Sequence, residues 1–321
     1  QMDYSLSAYR DESDGYRDSD EETKSGDAQI GWQFDGGRLD LVAGINQSFN
    51  RYPIGLAQWQ VDRDRTVAVS NTKEDGSGYL MMPNDSDEEL ANVLVKYDYD
   101  KNNWLVRSSV GFSRDEQDFL YKKYLNNPSK VDDNYRDDRV EKIYDVMASV
   151  GRRFDAGAVS NTLTFGMDYQ YSDFTQDRKY PWDVSNNNAS SESTADIDAE
   201  KELFGVNFNH DFSYERFRLQ SGLRYNSMTY EISNQVPDSV KIECDNDIDW
   251  NISPSYRILE KANLFVSWNH SNFYLPLGYY KSDMENDSDY TQPQDLNPEA
   301  YDTLETGFKH QLNNLSALLT R

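Results

Sequence analysis

Apolar and polar residues alternate along most of this chain. Residues 26–34 carry Ala28, Ile30, Trp32 and Phe34 against Gln29, Gly31 and Gln33, and residues 38–49 set Leu39, Leu41, Ala43 and Ile45 against Asp40, Val42, Gly44 and Asn46. That is the two-residue period of a strand with two different faces. Comparable segments fall at 2–10, 92–99, 104–113, 142–153, 161–174, 202–213, 216–231, 247–258, 262–273 and 301–312, with a shortened one from 315. The total is about thirteen, each near the ~9–11 residues of a tilted membrane strand.

The connections alternate as well. Asp35-Gly36-Gly37, Asp100 to Asn103, Asp155-Ala156-Gly157, Tyr214-Glu215, Glu260-Lys261 and Asn313-Asn314 read as tight hairpin turns. Between them lie long polar stretches at 11–25, 50–91, 115–139, 175–200, 233–246 and 274–299. Such lengths are uncommon in a compact domain. Short and long in strict turn predict an all-β, antiparallel up-and-down transmembrane β-barrel with short periplasmic turns and long extracellular loops.

Charge fixes which face meets lipid. With Phe217, Leu219, Leu223 and Tyr225 outward, Arg218 and Arg224 enter the lumen; the opposite register places each Arg in hydrocarbon at a cost of ~2–4 kcal/mol. The same reasoning sends Asp40, Lys96, Asp98, Arg107, Asp168, Asn207 and Arg257 inward. Aromatics gather near segment ends (Trp32, Phe34, Tyr97, Tyr99, Trp104, Phe212, Phe217, Tyr256), as in an interfacial girdle.

One stretch sends two signals. In "LNPEAYDTLETGFKH", Asn297-Pro298-Glu299 has the residues of a helix start, whereas Leu304, Thr306, Phe308 and His310 alternate with Glu305, Gly307 and Lys309 as in a strand. A capped turn feeding a descending strand is the expectation.

Composition narrows the class. The apolar fraction of 37% is thin for a globule, and the formal charge is −25, yet aromatics reach 13%, with 23 tyrosines, which argues against disorder. No run approaches the ~20 apolar residues of a spanning helix. An acidic balance of this size argues against nucleic acid as a partner. The chain opens on Gln1 in strand pattern, as a piece of a longer protein would.

Candidate chemistry is sparse. His210, His270 and His310 lie far apart, outward and near strand ends, and suit an interface. Cys244 stands alone and reads as a loop thiol. No nucleophile, nucleotide or metalloprotease motif is present, so no catalytic residue and no enzyme activity is expected. The acidic runs at 11–22, 84–89, 245–249 and 284–289 are of a kind that can hold calcium, but none has the spacing of an EF-hand loop. Solvated loops are the simpler reading, and no cofactor is expected. Loop aromatics are the better lead to ligand binding: Trp59, Tyr79, Tyr180, Trp182, Tyr274, Tyr279 and Tyr280, together with lumenal Arg107, Arg218 and Arg224. Tyr52, Tyr124 and Tyr290 belong with them, and loops folding over one another explain such rings equally well.

Several stretches, in order, resemble TonB-dependent outer-membrane receptors. Leu296, Pro298, Glu299, Glu305, Gly307 and Lys309 match the family's Leu-x-Pro-Glu and Glu-x-Gly-x-Lys signature. "NLFVSWNHSNFYLPLG", with Phe273 and Pro276, is similar to its strand ending in an aromatic and a Pro. "LQSGLRYN" resembles its Gly-x-Arg-Tyr strand, and "YSLSAYRDESDGYRDSD" and "YPIGLAQWQ" look like its early strand and the stretch that follows.

The resemblance implies a barrel of about 22 strands around an N-terminal plug. It implies uptake of a scarce ligand such as a ferric siderophore across the bacterial outer membrane, energised through TonB bound to the plug. Residues 1–321 then form a single incomplete β-barrel domain whose plug and C-terminal strands lie outside this chain, with outer-membrane lipid and a small iron chelate as further partners. Alternatives are a passive outer-membrane porin and a soluble β-rich binding or adhesin domain, which would need a second layer over the apolar faces.

Overall fold

In a computed structural model of the chain, eighteen strands and one short helix account for most of the described residues. Those are residues 1–15, 19–53, 56–67, 70–71, 74–75, 80–81, 84–121, 135–179, 182–183, 188–189, 195–234, 240–244, 246–274, 298–312 and 315–320. The strands are β1 Met2–Asp14, β2 Asp20–Phe34, β3 Gly37–Tyr52, β4 Ser70–Asn71, β5 Leu80–Met81, β6 Asn84–Lys101, β7 Trp104–Tyr121, β8 Tyr135–Ala156 and β9 Val159–Lys179. They continue with β10 Trp182–Asp183, β11 Asn188–Ala189, β12 Ala195–Tyr214, β13 Phe217–Asn234, β14 Val240–Glu243, β15 Asp247–Leu259, β16 Ala262–Phe273, β17 Glu299–Leu312 and β18 Leu315–Thr320. Helix α1 is Gln58–Arg63.

One sheet runs β1-β2-β3-β6-β7-β8-β9-β12-β13-β15-β16-β17-β18, each strand antiparallel to its neighbour. Thirteen strands in sequence order form a meander, as the alternation predicts. β13 is shared: its lower half, Phe217–Asn226, pairs with β15, and its upper part, Thr229–Ile232, pairs with β14. β4 with β5 and β10 with β11 form two small ribbons within the long connections.

The tight turns hold where they are described. Gly36 and Gly157 have φ of +80° and +61°, and Asn102, Asn103 and Glu215 take positive φ at the other turns. Gly and Asn tolerate that region best. Asn313-Asn314 lies outside the described residues.

Two expectations need correction. The long polar stretches are not wholly loop: β8, β9 and β12 reach 22, 21 and 20 residues, and acidic Asn84–Glu89 is strand. The period of two stops being apolar where the wall passes the lipid level, but backbone pairing continues with charged partners. On the outward face a charged and polar collar runs in register from Arg10 through Lys24 and Gln47 to Glu89, and again from Lys142 through Asp173 to Glu200. Cross-strand contacts sustain it: Arg10 to Glu22 at 2.8 Å, Gln47 to Glu89 at 2.7 Å and Lys142 to Asp173 at 3.1 Å.

The second correction concerns Asn297-Pro298-Glu299. Asn297 lies outside the described residues, Pro298 has no regular structure, and Glu299 already opens β17, paired with Phe273. The cross-strand ladder takes Glu299 before a helical turn can form, and its carboxylate accepts the Tyr301 hydroxyl. The strand that follows spans residues 299–312, as its alternation predicts.

Below the collar the outward face is bare apolar surface: Leu223 is 53% exposed and Phe208 46%. No soluble globule leaves a contiguous apolar face of this extent uncovered. Trp32, Phe34 and Tyr97 pack in a row near the short turns, with centroids 6.2 and 6.0 Å apart, and Phe212 meets Phe217 at 6.3 Å. The girdle is therefore present. His210, His270 and His310 face outward among rings: His270 stacks on Trp250 and His310 on Phe308.

Candidate functional site: the polar inner wall

The opposite face is polar and ion-paired. Arg38 binds Asp40 beside it, Nε to Oδ2 at 2.7 Å, and reaches across a whole strand to clamp Asp3 with two bonds of 2.8 Å. Gly31 makes that reach possible, because a Cβ there would lie 2.1 Å from Arg38 Nη2. The device repeats at Gly205, over which Arg224 donates to both oxygens of Asp168 at 2.8 and 2.7 Å. Arg153 clamps Asp100 at 2.8 and 2.9 Å, Arg218 binds Asp211 through Nε at 2.9 Å, and Arg107 lies 3.4 Å from Asp98.

From Arg224 the network runs on. Arg224 also donates to Asn226, whose amide donates to Asp249 at 2.7 Å, and Asp249 accepts the Asn272 backbone N–H at 2.8 Å. It ties β9, β13, β15 and β16 together on one face. Asn226 is buried with its hydrogen bonds made, as a buried polar group requires.

Above the lipid level this wall becomes drier. Asp137 is fully buried and accepts from Arg139 at 2.6 Å, Arg178 at 2.9 Å and Gln176 at 2.6 Å. Beside it sits the largest apolar cluster among the described residues: Phe174, Ile197, Ala199, Met228, Tyr230, Ile232 and Cys244. Cys244 is thus a core residue on a loop, its N–H bonded to Met228 O at 3.1 Å. On the outward side, burial pushes Asp118 above the ordinary carboxylate range against the pull of Arg136, which donates to it at 3.0 Å.

The predicted inward residues Asp40, Lys96, Asp98, Arg107, Asp168, Asn207, Arg218, Arg224 and Arg257 share the polar face by strand alternation. Arg107, Arg218 and Arg224 each have a carboxylate partner already, and Arg257 donates to the Glu215 carbonyl at 3.2 Å. Trp59 sits on α1 with Arg63 over its ring at 5.4 Å. Tyr274 packs against the buried cluster, and burial with the nearby Asp247 raises its hydroxyl pKa. Trp182 lies on β10; Tyr79, Tyr180, Tyr279, Tyr280 and Leu296 fall outside the described residues. Pro298, Glu299, Glu305, Gly307 and Lys309 sit at or on β17, with Glu305 and Lys309 inward.

Sequence reading missed Asp137, Asn226 and the glycine windows. The signal available was charge alternating at i and i+2 beyond the apolar segments, as in Asp137-x-Arg139. Among the described residues no group of three or more His, Cys, Asp or Glu side chains is placed to hold a metal.

A lipid-facing apolar band, a charged collar and an ion-paired polar inner face define the wall of a transmembrane β-barrel of the large, polar-lumen class. The family comparison agrees: residues 15–320 match the model of the TonB dependent receptor-like β-barrel, and the chain belongs to that family. Among solved structures it is similar to the ferric citrate transporter FecA in the unliganded form, with TM-score 0.81, 12% identity and coverage of 99% of this chain and 45% of that one. The ferric-catecholate import receptor Fiu from K12 E. coli gives 0.68 at 15% identity, covering 99% and 53%. The siderophore receptor PiuA from Acinetobacter baumannii gives 0.66 at 13%, covering 99% and 52%. This chain therefore spans about half the length of these structures. No curated protein matches it.

Proposed function

We propose that the chain is part of the wall of an outer-membrane, ligand-gated active transporter that imports a scarce small molecule, an iron chelate by family. Residues 1–321 supply part of one barrel domain, with a plug and further strands provided elsewhere in the receptor. TonB, bound to that plug, supplies the energy, and the ligand crosses without chemical conversion. The observation that supports this is the two-faced wall on a chain of this family: apolar outside, ion-paired within.

The inner face holds its arginines in carboxylate clamps, which suits a lumen that must stay rigid while a separate body moves inside it. The test is energy dependence. Cells relying on the full-length receptor for iron should lose growth on a ferric chelate when TonB is deleted. Uptake that persists without TonB, together with steady ion conductance in planar bilayers, points to a passive porin and refutes the proposal.

A further inference from the structure

On the inner wall, above the lipid level, one patch is electrostatically unfinished. Asp115 of β7 and Glu141 of β8 stand directly opposite each other in register. Like charges so placed destabilise a sheet. No cation lies within ion-pair distance of either among the described residues, and one Asp115 oxygen is buried without a hydrogen bond. On the same face Asp3, Asp100, Asp168 and Asp211 each hold an arginine, which this pair does not.

Its surroundings hold unpartnered oxygens, with one unpartnered N–H, Arg139 Nε, two residues from Glu141 on the same face. Glu141 pairs in register with Phe174 of β9, whose same-face neighbours are Ser172 and Gln176. Ser172 is 0% exposed with an unpartnered Oγ, and Gln176 is 2% exposed with an unpartnered Oε1. Phe174 adds a ring of the kind that attracts organic cations. The neighbouring cation is Lys201, opposite Ser172; burial lowers its pKa, and it makes no ion pair within the described residues. Burial raises both Asp115 and Glu141, with Lys201 pulling Glu141 the other way. Two carboxylates with a hydroxyl and an amide oxygen fall short of a metal cage.

We propose that Asp115 and Glu141, backed by Ser172, Gln176 and Phe174, bind a protonated amine carried by the imported ligand. This rests on the uptake reading and narrows it: lumenal Arg107, Arg218 and Arg224 are already paired with carboxylates, whereas Asp115 and Glu141 make no ion pair among the described residues. An ammonium supplies the charge and donors that the two carboxylates lack, and donors to the unpartnered Ser172 and Gln176 oxygens.

The test uses the full-length receptor in detergent and spermidine as probe, measured by calorimetry at neutral pH, with citrate as the anionic control. Spermidine should bind and citrate should not compete. Asp115→Asn with Glu141→Gln should weaken spermidine ~10-fold or more. The same double variant should raise the thermal midpoint of the ligand-free receptor, because it relieves like-charge repulsion. Absence of spermidine binding, binding unchanged in the variant, or a lowered midpoint overturns the proposal. These readouts need no TonB, so their failure leaves the transport reading to its own test.

Discussion

Gly205 has no side chain because another residue's side chain occupies that space. A Cβ there would lie 2.4 Å from Arg224 Nη2 and 2.9 Å from Asp168 Oδ2, so Gly205→Ala must displace the clamp that joins β9 to β13 across β12. The two partners are 32% and 24% exposed. Exposed pairs contribute ~0–1 kcal/mol, and breaking a fully buried one costs ~3–5 kcal/mol. A clamp mostly shielded from water falls between, and the guanidinium is the far end of a flexible side chain that yields part of the way. We expect Gly205→Ala to destabilise the full-length receptor by about 1–2 kcal/mol, read from the guanidinium unfolding midpoint in vesicles. The mechanism is checked by a double-mutant cycle with Asp168→Asn. Once the clamp is gone, the added methyl has little left to displace, so the coupling should reach about 1 kcal/mol. Gly157→Ala is the control: nothing lies within 4 Å of its added Cβ, and its cost, ~1 kcal/mol from a φ of +61°, should not depend on Asp168 at all. A Gly205→Ala penalty that is equally large in the Asp168→Asn background would refute the window account.

Further expectations follow from the two faces. Leu223→Arg, at the middle of the apolar band, should cost ~2–4 kcal/mol and reduce membrane assembly, whereas Gln170→Arg on the polar face, opposite Asp145, should cost far less; heat-modifiable mobility on gels compares them. Met228→Ala, 2% exposed in the cluster under Cys244, should lose ~2–4 kcal/mol and raise hydrogen exchange at Val240–Glu243 first, because among the described strands that one pairs with β13 alone. Asp115 and Glu141 have folded pKa values raised by burial, so their contribution to stability is largest below the ordinary carboxylate range and is lost as pH rises through the raised values. The Asn and Gln variants should flatten that acid-side slope in a pH series of unfolding midpoints; an unchanged slope would count against buried, repelling carboxylates.

How far the sequence reached can be seen strand by strand. Within the lipid band charged residues are kept off the outward face and most of its positions are apolar, so the period of two at 216–225 or 262–268 is clear, and the arginines settle the register by the cost of placing them in hydrocarbon. Above the band both faces are polar, the pattern loses contrast, and β8 from Tyr135 to Glu141 reads as loop although its ladder to β7 and β9 is continuous. The same loss of contrast hid the site: Asp137 and Glu141 look alike in sequence, one aspartate and one glutamate two turns of the alternation apart. Asp137-x-Arg139 is a local pair, but only cross-strand register shows that Asp137 also meets Arg178 and Gln176 while Glu141 meets Asp115. Partners on other strands, as far as 41 residues away, decide which acid is finished and which is waiting, and local pattern does not carry them.

The helix signal at Asn297-Pro298-Glu299 failed for a related reason. Capping preferences describe what an isolated turn would choose, but Glu299 has a ready partner in Phe273 across the ladder, and that pairing continues without interruption to His310. Local propensity amounts to ~1 kcal/mol at a cap, while the strand that would be shortened carries a hydrogen-bonded register and the outward row Leu304, Thr306 and Phe308 against Trp268, Val266 and Leu264. Non-local pairing therefore outweighs the cap. This ranking is testable at one residue: Pro298→Ala leaves every ladder bond in place and should leave β17 a strand with a stability change under about 0.5 kcal/mol, whereas Leu304→Asp, which puts a carboxylate on the lipid face, should cost ~1–3 kcal/mol and lower the yield of assembled receptor. If Pro298→Ala instead proves the more damaging of the two, a turn before β17 matters more than the strand pairing that follows it.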